Sequence, residues 1–361
     1  MFELYTFDHI VPWLVLTLAL VLAFSATYLV LPSIILISKV KNLMDAPNGR
    51  KIHVNSVPTL GGVGIFFGIA MALSICGAFI EAKSLFPLLG ALIIICMIGV
   101  KDDLLIITPK SKFLAQIAAT LLMFFLEESR VIGFSGIFGI QELPYLLSLF
   151  FTFFLYLLII NAINLIDGID GLAGSVGICS SVVYVFLFIQ NKQWEMALAS
   201  CAVIGALIPF LMYNFSKDNK IFMGDTGSLV LGFMLAFQTV GFLGYNQQTA
   251  DALYHSSAPI VAIAILFFPL LDTLRIIFVR SFLQRRNPFK ADTNHIHHRM
   301  LRLGLTHKQT TFLTCLATVF IIIVAFQCCS FSWPWHLLTV LVFGGVLFAL
   351  PFYIKENSLK N

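Results

Sequence analysis

Charge is what this 361-residue chain has least of: 11% of its residues are Asp, Glu, Lys or Arg, against 59% hydrophobic, and its mean hydropathy is +0.95. A soluble domain could not keep that much apolar surface from water, so a water-soluble globular protein is excluded. Cysteine offers no framework either. The seven are Cys76, Cys96, Cys179, Cys201, Cys315, Cys328 and Cys329, an odd number without a Cys-x-x-Cys pair, which argues against a disulfide scaffold and against a zinc site. There is no convincing internal repeat and no stretch polar enough to form a soluble domain. The first apolar segment is long and lacks a basic leader, so a cleavable signal peptide is not expected. The formal charge of +4 is modest, and nothing points to nucleic acid.

What the chain does have is apolar runs. A helix needs roughly 20 mostly apolar residues to cross the hydrocarbon. Eleven such segments can be placed, at about 11–37, 60–80, 85–100, 113–127, 143–162, 172–190, 195–213, 227–245, 258–279, 310–327 and 335–354. The expectation is an all-α polytopic integral membrane protein: a single domain over residues 1–361, built as a bundle of about eleven transmembrane helices with its active site at the cytoplasmic face. An external N-terminus leaves only Lys83, Arg130 and Lys192, of 22 Lys and Arg residues, in outer loops. The positive-inside rule prefers that orientation. The cytoplasmic loops then fall at about 38–59, 101–112, 163–171, 214–226 and 280–309, and they hold nearly all the distinctive polar residues. The acids divide too: only Asp8 and Asp251 among the Asp residues fall outside, whereas Glu is external except for Glu356. A basic inner face also suits anionic lipids or phosphates.

The first polar feature to stand out is the run Asn161-Ala-Ile-Asn164-Leu-Ile-Asp167-Gly168-Ile-Asp170-Gly171-Leu-Ala-Gly174 between two apolar stretches. Ionisable groups near bilayer depth are costly enough that they usually line a cavity, a pathway or a site. Asn164, Asp167 and Asp170 are spaced by three, so neighbours share a helix face. Successive steps drift around an ideal helix, so Asn161 and Asp170 cannot both face one ligand without a break, which Gly168 and Gly171 can supply. A polar helix end closed by an Asx turn is the bland alternative.

Asp102 and Asp103 close the third apolar segment, with Lys110 and Lys112 shortly after. Adjacent carboxylates repel, so one can serve as a base while the other stays ionised beside a cation; an acidic loop capping the next helix would also explain them. Gly224-Asp225-Thr-Gly227-Ser228 sets a carboxylate between glycines at a loop-to-helix junction. Such a turn can offer backbone N–H groups to an anion while the Asp binds Mg²⁺, or Asp225 can be a plain N-cap. His295-Ile-His297-His298 lies in the longest basic loop, where imidazole and guanidinium donors can clamp a pyrophosphate or simply face anionic lipid. Asp272 and Arg275 read as an intrahelical ion pair and are left out of the catalytic set. Arg50-Lys-Ile-His53 precedes Pro58-Thr-Leu-Gly61-Gly62, whose glycines are expected to serve helix packing.

Taken in order from about Met44 to Gln309, these motifs resemble the polyprenyl-phosphate N-acetylhexosamine-1-phosphate transferases of glycosyltransferase family 4. The His-Ile-His-His pattern, in place of a triple His, places the likeness nearer the GlcNAc branch than the phospho-MurNAc-pentapeptide branch. The resemblance implies transfer of a sugar 1-phosphate from a UDP-N-acetylhexosamine to a polyprenyl phosphate lipid, with release of UMP. It also implies a location in the inner membrane, Mg²⁺ with Mn²⁺ as a substitute, and a homodimer as one open arrangement. Carried onto this chain, it makes Asp225 and Asn164 the metal ligands and puts Asp102, Asp103 and Lys112 at the phosphates, with Asp167 among the catalytic residues. Asp170 and Phe222 would hold the uracil, and His53, His295, His297 and His298 would bind substrate. UDP-GalNAc or UDP-MurNAc-pentapeptide as donor stays open. An ion-coupled transporter is the competing class; it would need acids spread through the bilayer depth, and here they gather at one end.

Overall fold

The computed structural model describes residues 7–41, 43, 57–105, 107–127, 130–249, 254, 256–284 and 295–354. Thirteen helices follow one another among these residues: α1 (Phe7–Val40), α2 (Gly61–Phe79), α3 (Leu85–Leu105), α4 (Pro109–Glu127), α5 (Tyr145–Ile166), α6 (Leu172–Gln190), α7 (Trp194–Asn214), α8 (Gly224–Gln248), α9 (Ala258–Ile265), α10 (Phe267–Phe278), α11 (Ile296–Arg302), α12 (His307–Gln327) and α13 (Trp333–Tyr353). Nine of them are long and apolar enough to cross a membrane, ten if α9 and α10 count as one broken span. The chain is thus a polytopic all-α membrane protein. The expected count of eleven is not reached because α4, although helical, carries Lys110, Lys112 and Gln116 in its first half and is too polar to qualify.

Helix α8 is apolar over most of its surface and buried from Thr226 to Gly244, the pattern of a helix with almost no outward face. Helices α2, α3, α5, α6, α7 and α9 pack against it. The outward side of α1 exposes Leu14, Leu29 and Leu36, and that of α13 exposes Trp335, Leu341 and Val346. Between helices in lipid there is little hydrophobic driving force, so close approach through small residues does the work. A Cβ on Gly62 would overlap the backbone of Gly227, and one on Gly99 would overlap the backbone of Thr226. The starts of α2 and α8 are also bonded directly. The N–H groups of Gly61 and Gly62 donate to the carbonyls of Phe222 and Met223 at 3.0 and 2.9 Å, and Phe222 donates to the Pro58 carbonyl at 2.8 Å. The packing role expected of Gly61 and Gly62 is what they have.

The segment expected as one span at 258–279 is broken. Helices α9 and α10 meet at an angle of 80° at Leu266. Pro269 has no N–H for the carbonyl of Ile265, four residues back, and Ser180 of α6 donates to that carbonyl instead at 3.4 Å. The bend redirects α10 so that Asp272 meets the histidine loop. Helix α5, by contrast, runs further than expected, so Asn161 and Asn164 sit on its last turns.

Filling either helix contact should show its weight. Gly62→Val or Gly99→Val is expected to lower stability by about 1–3 kcal/mol through overpacking, read as an earlier thermal transition of the detergent-solubilised protein, whereas Gly345→Val, where a Cβ meets nothing within 4 Å, should leave that transition in place.

Candidate active site

The site is built around the first turn of α8. A helix start leaves backbone N–H groups without partners, and here they are taken by a side chain from α3. Asp103 accepts from the amide of Asp225 at 2.7 Å, the amide of Thr226 at 3.1 Å and the Thr226 hydroxyl at 2.5 Å. Asp225 is therefore not an N-cap but a first-turn residue whose own amide is capped. The expected anion cradle of bare N–H groups is already filled by the protein's carboxylate. Gly224 turns the chain into the helix at φ +69°, where a side chain would strike the Thr59 carbonyl and Asp103.

With its amide held, Asp225 presents its carboxylate to three neighbours. Lys112 of α4 donates to Oδ1 at 2.9 Å, and Asn164 of α5 donates Nδ2 to the same oxygen at 2.7 Å and to Ser228 at 2.8 Å. Lys112 also forms an ion pair with Asp102, which is buried and accepts the Ile107 amide at 2.7 Å. The Asp102 and Asp225 carboxyls lie within hydrogen-bond reach of each other beside that one ammonium. Asp102 and Asp103 thus have different tasks, one in the charge cluster and one as a cap.

The turn after α5 forms the next wall. Asp167 has no hydrogen-bond partner among the described residues. Burial, and then the charges of Asp225, Asp103 and Asp170, push its carboxyl well above the usual carboxylate range. Gly171 closes the turn at φ +75°, and a Cβ there would strike the Phe215 ring. Gly168 lies in the expected break after α5 and also serves close approach: its missing Cβ makes room for the His297 ring. Asn214 links this turn to the next loop, accepting from Gly171 N–H at 2.6 Å and donating to the Ile221 carbonyl at 2.8 Å. Asp170 pairs with Lys220 at 2.6 Å, and Lys220 stands 5.2 Å over the Phe222 ring.

The histidine loop faces the same turn. His295 bonds Asp272 through Nδ1 at 2.7 Å, and Asp272 also accepts the Ile296 amide at 3.2 Å. The expected intrahelical pair to Arg275 exists at 3.6 Å, and the same carboxylate also holds the histidine loop. His297 stacks on His295 with ring centroids 5.6 Å apart and lies 4.3 Å from the His298 ring. It is buried, and among the described residues neither ring nitrogen has a partner. Burial first, then the neighbouring histidines, hold its pKa down to about 3. From behind, Arg299 donates to the carbonyls of Pro351 and Ile354 at 3.0 and 2.7 Å, fastening α11 to the end of α13.

Similarity to known proteins agrees with this arrangement. A model of glycosyl transferase family 4 matches residues 85–251, which span Asp102 to Asp225. Over 333 residues the chain is 30% identical to the undecaprenyl-phosphate alpha-N-acetylglucosaminyl 1-phosphate transferase of Escherichia coli strain K12, covering 90% of this chain and 86% of that one. The chain belongs to glycosyl transferase family 4. Other relatives repeat the relation: a protein of the same name from Pasteurella multocida strain Pm70 is 34% identical over 312 residues, 83% of each chain. A Bacillus subtilis strain 168 protein, named a probable undecaprenyl-phosphate N-acetylglucosaminyl 1-phosphate transferase, is 29% identical over 271 residues, 74% of this chain and 72% of that one.

In this family 4 transferase the structure brings together Asp102, Asp103, Lys112, Asn164, Asp167 and Asp225, with Asp170 and Phe222 beside Lys220 and with His297 on Gly168 flanked by His295 and His298. His53 lies outside the described residues. Sequence reasoning passed over Thr226, Ser228, Asn214, Lys220 and His307, which act through the residues it named. The signal for the second contact of Asp272 is a carboxylate inside an apolar segment, for which the i,i+3 arginine accounts only in part.

Two outcomes follow from these geometries. Asp103→Ala strips the cap from α8 and is expected to cost about 1–2 kcal/mol, measurable as a lower thermal transition, while Thr226→Val should lose only part of that. For His297, the folded chain binds fewer protons than the unfolded chain between pH about 6.5 and about 3, so stability is full above that window and declines as the pH falls through it. His297→Gln should flatten the decline of the melting temperature between pH 6.5 and 4.

Proposed function

We propose that this transferase moves N-acetylglucosamine 1-phosphate from UDP-N-acetylglucosamine to undecaprenyl phosphate and releases UMP, starting a lipid-linked glycan of the cell envelope. The names of its bacterial relatives support the substrates. The observation that carries the chemistry is the junction of Asp102, Lys112, Asn164 and Asp225 at one end of a membrane bundle, with a buried histidine, His297, packed on Gly168 of the adjoining turn. The bias of Lys and Arg toward that end supports a cytoplasmic site in the inner membrane with the N-terminus outside.

Phosphoryl transfer needs positioning and charge neutralisation more than covalent chemistry. An oxygen of the acceptor phosphate forms a bond to the β-phosphorus of the donor, and the bond from that phosphorus to the bridging oxygen breaks, so that UMP leaves with the bridging oxygen. The acceptor phosphate already bears a nucleophilic oxygen near neutral pH, which favours direct attack. Lys112 reaches the phosphates from between Asp102 and Asp225, and Asp102 holds the ammonium in place. His297 and His298 donate to the diphosphate and sugar, with His295 held by Asp272 as their support.

The donor set also fits Mg²⁺. Among the described residues no three His, Cys, Asp or Glu side chains converge as a ready metal cage. Mg²⁺ commonly takes one or two carboxylates together with substrate phosphates and water. Two carboxyls within hydrogen-bond reach of each other, sharing one lysine, leave negative charge that a hard cation would balance. Asp225 would hold it, joined by Asn164 through its amide oxygen, and Mn²⁺ meets the same requirement. When bound, the ion neutralises the charge of the diphosphate.

The test is turnover in detergent. Asp225→Ala is expected to cut Mg²⁺-dependent UMP release at least about 10²–10³-fold, and undiminished release would overturn the assignment. Membranes given labelled UDP-GlcNAc should pass label into lipid faster than with UDP-GalNAc; the reverse order would change the donor and leave the reaction class standing.

A further inference from the structure

The corner of the site around Asp170 has a member outside every motif. His307, at the start of α12, places Nδ1 3.0 Å from Asp170 Oδ2, and Lys220 reaches the same oxygen at 2.6 Å. The ring also lies 3.4 Å from the Asp170 amide, and one turn on Thr311 donates to the Asp170 carbonyl at 2.9 Å. With its proton on Nδ1 the imidazole donates to the carboxylate, the shorter of the two ring contacts. Both side-chain donors converge on Oδ2, and among the described residues no hydrogen bond reaches Oδ1. The Phe222 ring lies under Lys220 in the same corner.

Helix stability does not account for this histidine. The start of α12 is already closed by Thr306 and Gln309, the Thr306 amide donating to the Gln309 side chain at 2.9 Å and the Gln309 amide to the Thr306 hydroxyl at 3.3 Å. The imidazole is 47% exposed, so it fills no core. Its specific contact is with Asp170.

We propose that His307 is a positioning residue for base recognition. By holding Oδ2 together with Lys220 it fixes the Asp170 carboxylate so that Oδ1 accepts the imide N–H of a uracil lying on the Phe222 ring. Cytosine carries an acceptor nitrogen at the corresponding place and would leave Oδ1 facing a lone pair, so the same constraint rejects cytidine nucleotides. This inference rests on the reading of the site as one for a UDP-sugar. Lys220 alone, on a flexible four-carbon stem, fixes the plane of the carboxylate less well than two donors do.

The experiment uses the full-length protein in detergent, with UDP and CDP as calorimetric probes and UMP release from UDP-GlcNAc in parallel. His307→Ala is expected to weaken UDP binding about tenfold and to shrink the preference for UDP over CDP by a similar factor, while KM for the lipid acceptor and the melting temperature stay at wild-type values. His307→Gln, whose amide can donate to Oδ2, should recover part of the loss. Equal losses for UDP and CDP, or a raised KM for the lipid as well, would mean a merely structural role and overturn the inference. Unchanged UDP binding in His307→Ala would overturn it too, and the transferase reading would stand on wild-type turnover. A wild-type protein that neither prefers UDP nor releases UMP would bring down both.

Discussion

The first amides of α8 have no carbonyl partners within their own helix, and one carboxylate from another helix satisfies them. Asp103 does so with three accepted hydrogen bonds, and much of the site follows from that constraint. The cap ties the last turn of α3 to the first turn of α8, which the glycine contacts at Gly62 and Gly99 allow at backbone distance. It aims Asp225 at Lys112 and Asn164. It also leaves Asp102, not its neighbour, to share charge with the lysine. Two adjacent residues of identical chemistry are separated in role by the face of the helix on which each lies.

Much of the fold was legible because its signal is the crudest one a chain can carry: apolar length. The bundle and most of its spans follow from hydropathy alone. What hydropathy could not show is where a span breaks. Pro269 inside an apolar run marks a kink only if another helix can take the orphaned carbonyl, and Ser180 that does so is 85 residues away in sequence. Length also misjudged α5, because Asn161 and Asn164 look like an ending although they are helical positions facing protein. Asn161 donates to Gln116 of α4 at 3.0 Å and so belongs to the packing of the bundle.

The candidate site was legible as a set of residue types with unresolved tasks. Spacing brought Asn164 and Asp167 to one neighbourhood, and the glycines correctly signalled a change of direction. The tasks depended on partners across the bundle. Asp103 is a cap because Thr226 stands opposite, Asp272 is an orienter because α10 is bent toward His295, and Gly168 is small because His297 occupies the space. None of these pairings has a periodicity to betray it. Lys220 and His307 were overlooked for the same reason: a lysine in a polar loop and a histidine at a helix start are unremarkable until both are found on one oxygen of Asp170.

Asp225 stands at the start of the helix that its neighbours enclose from Thr226 to Gly244. A bilayer that thins, thickens or changes composition acts first on lipid-facing helices, through tilt and mismatch. In this molecule those are helices such as α1 and α13, whose outward side chains are exposed. Neither of them supplies a member of the carboxylate cluster. Asp102 and Asp103, Lys112 and Asn164 are carried by α3, α4 and α5, which do expose apolar side chains such as Met97, Leu114 and Phe150, so an enzyme whose acceptor is itself a lipid sets one enclosed carboxylate against partners on helices that meet the lipid phase.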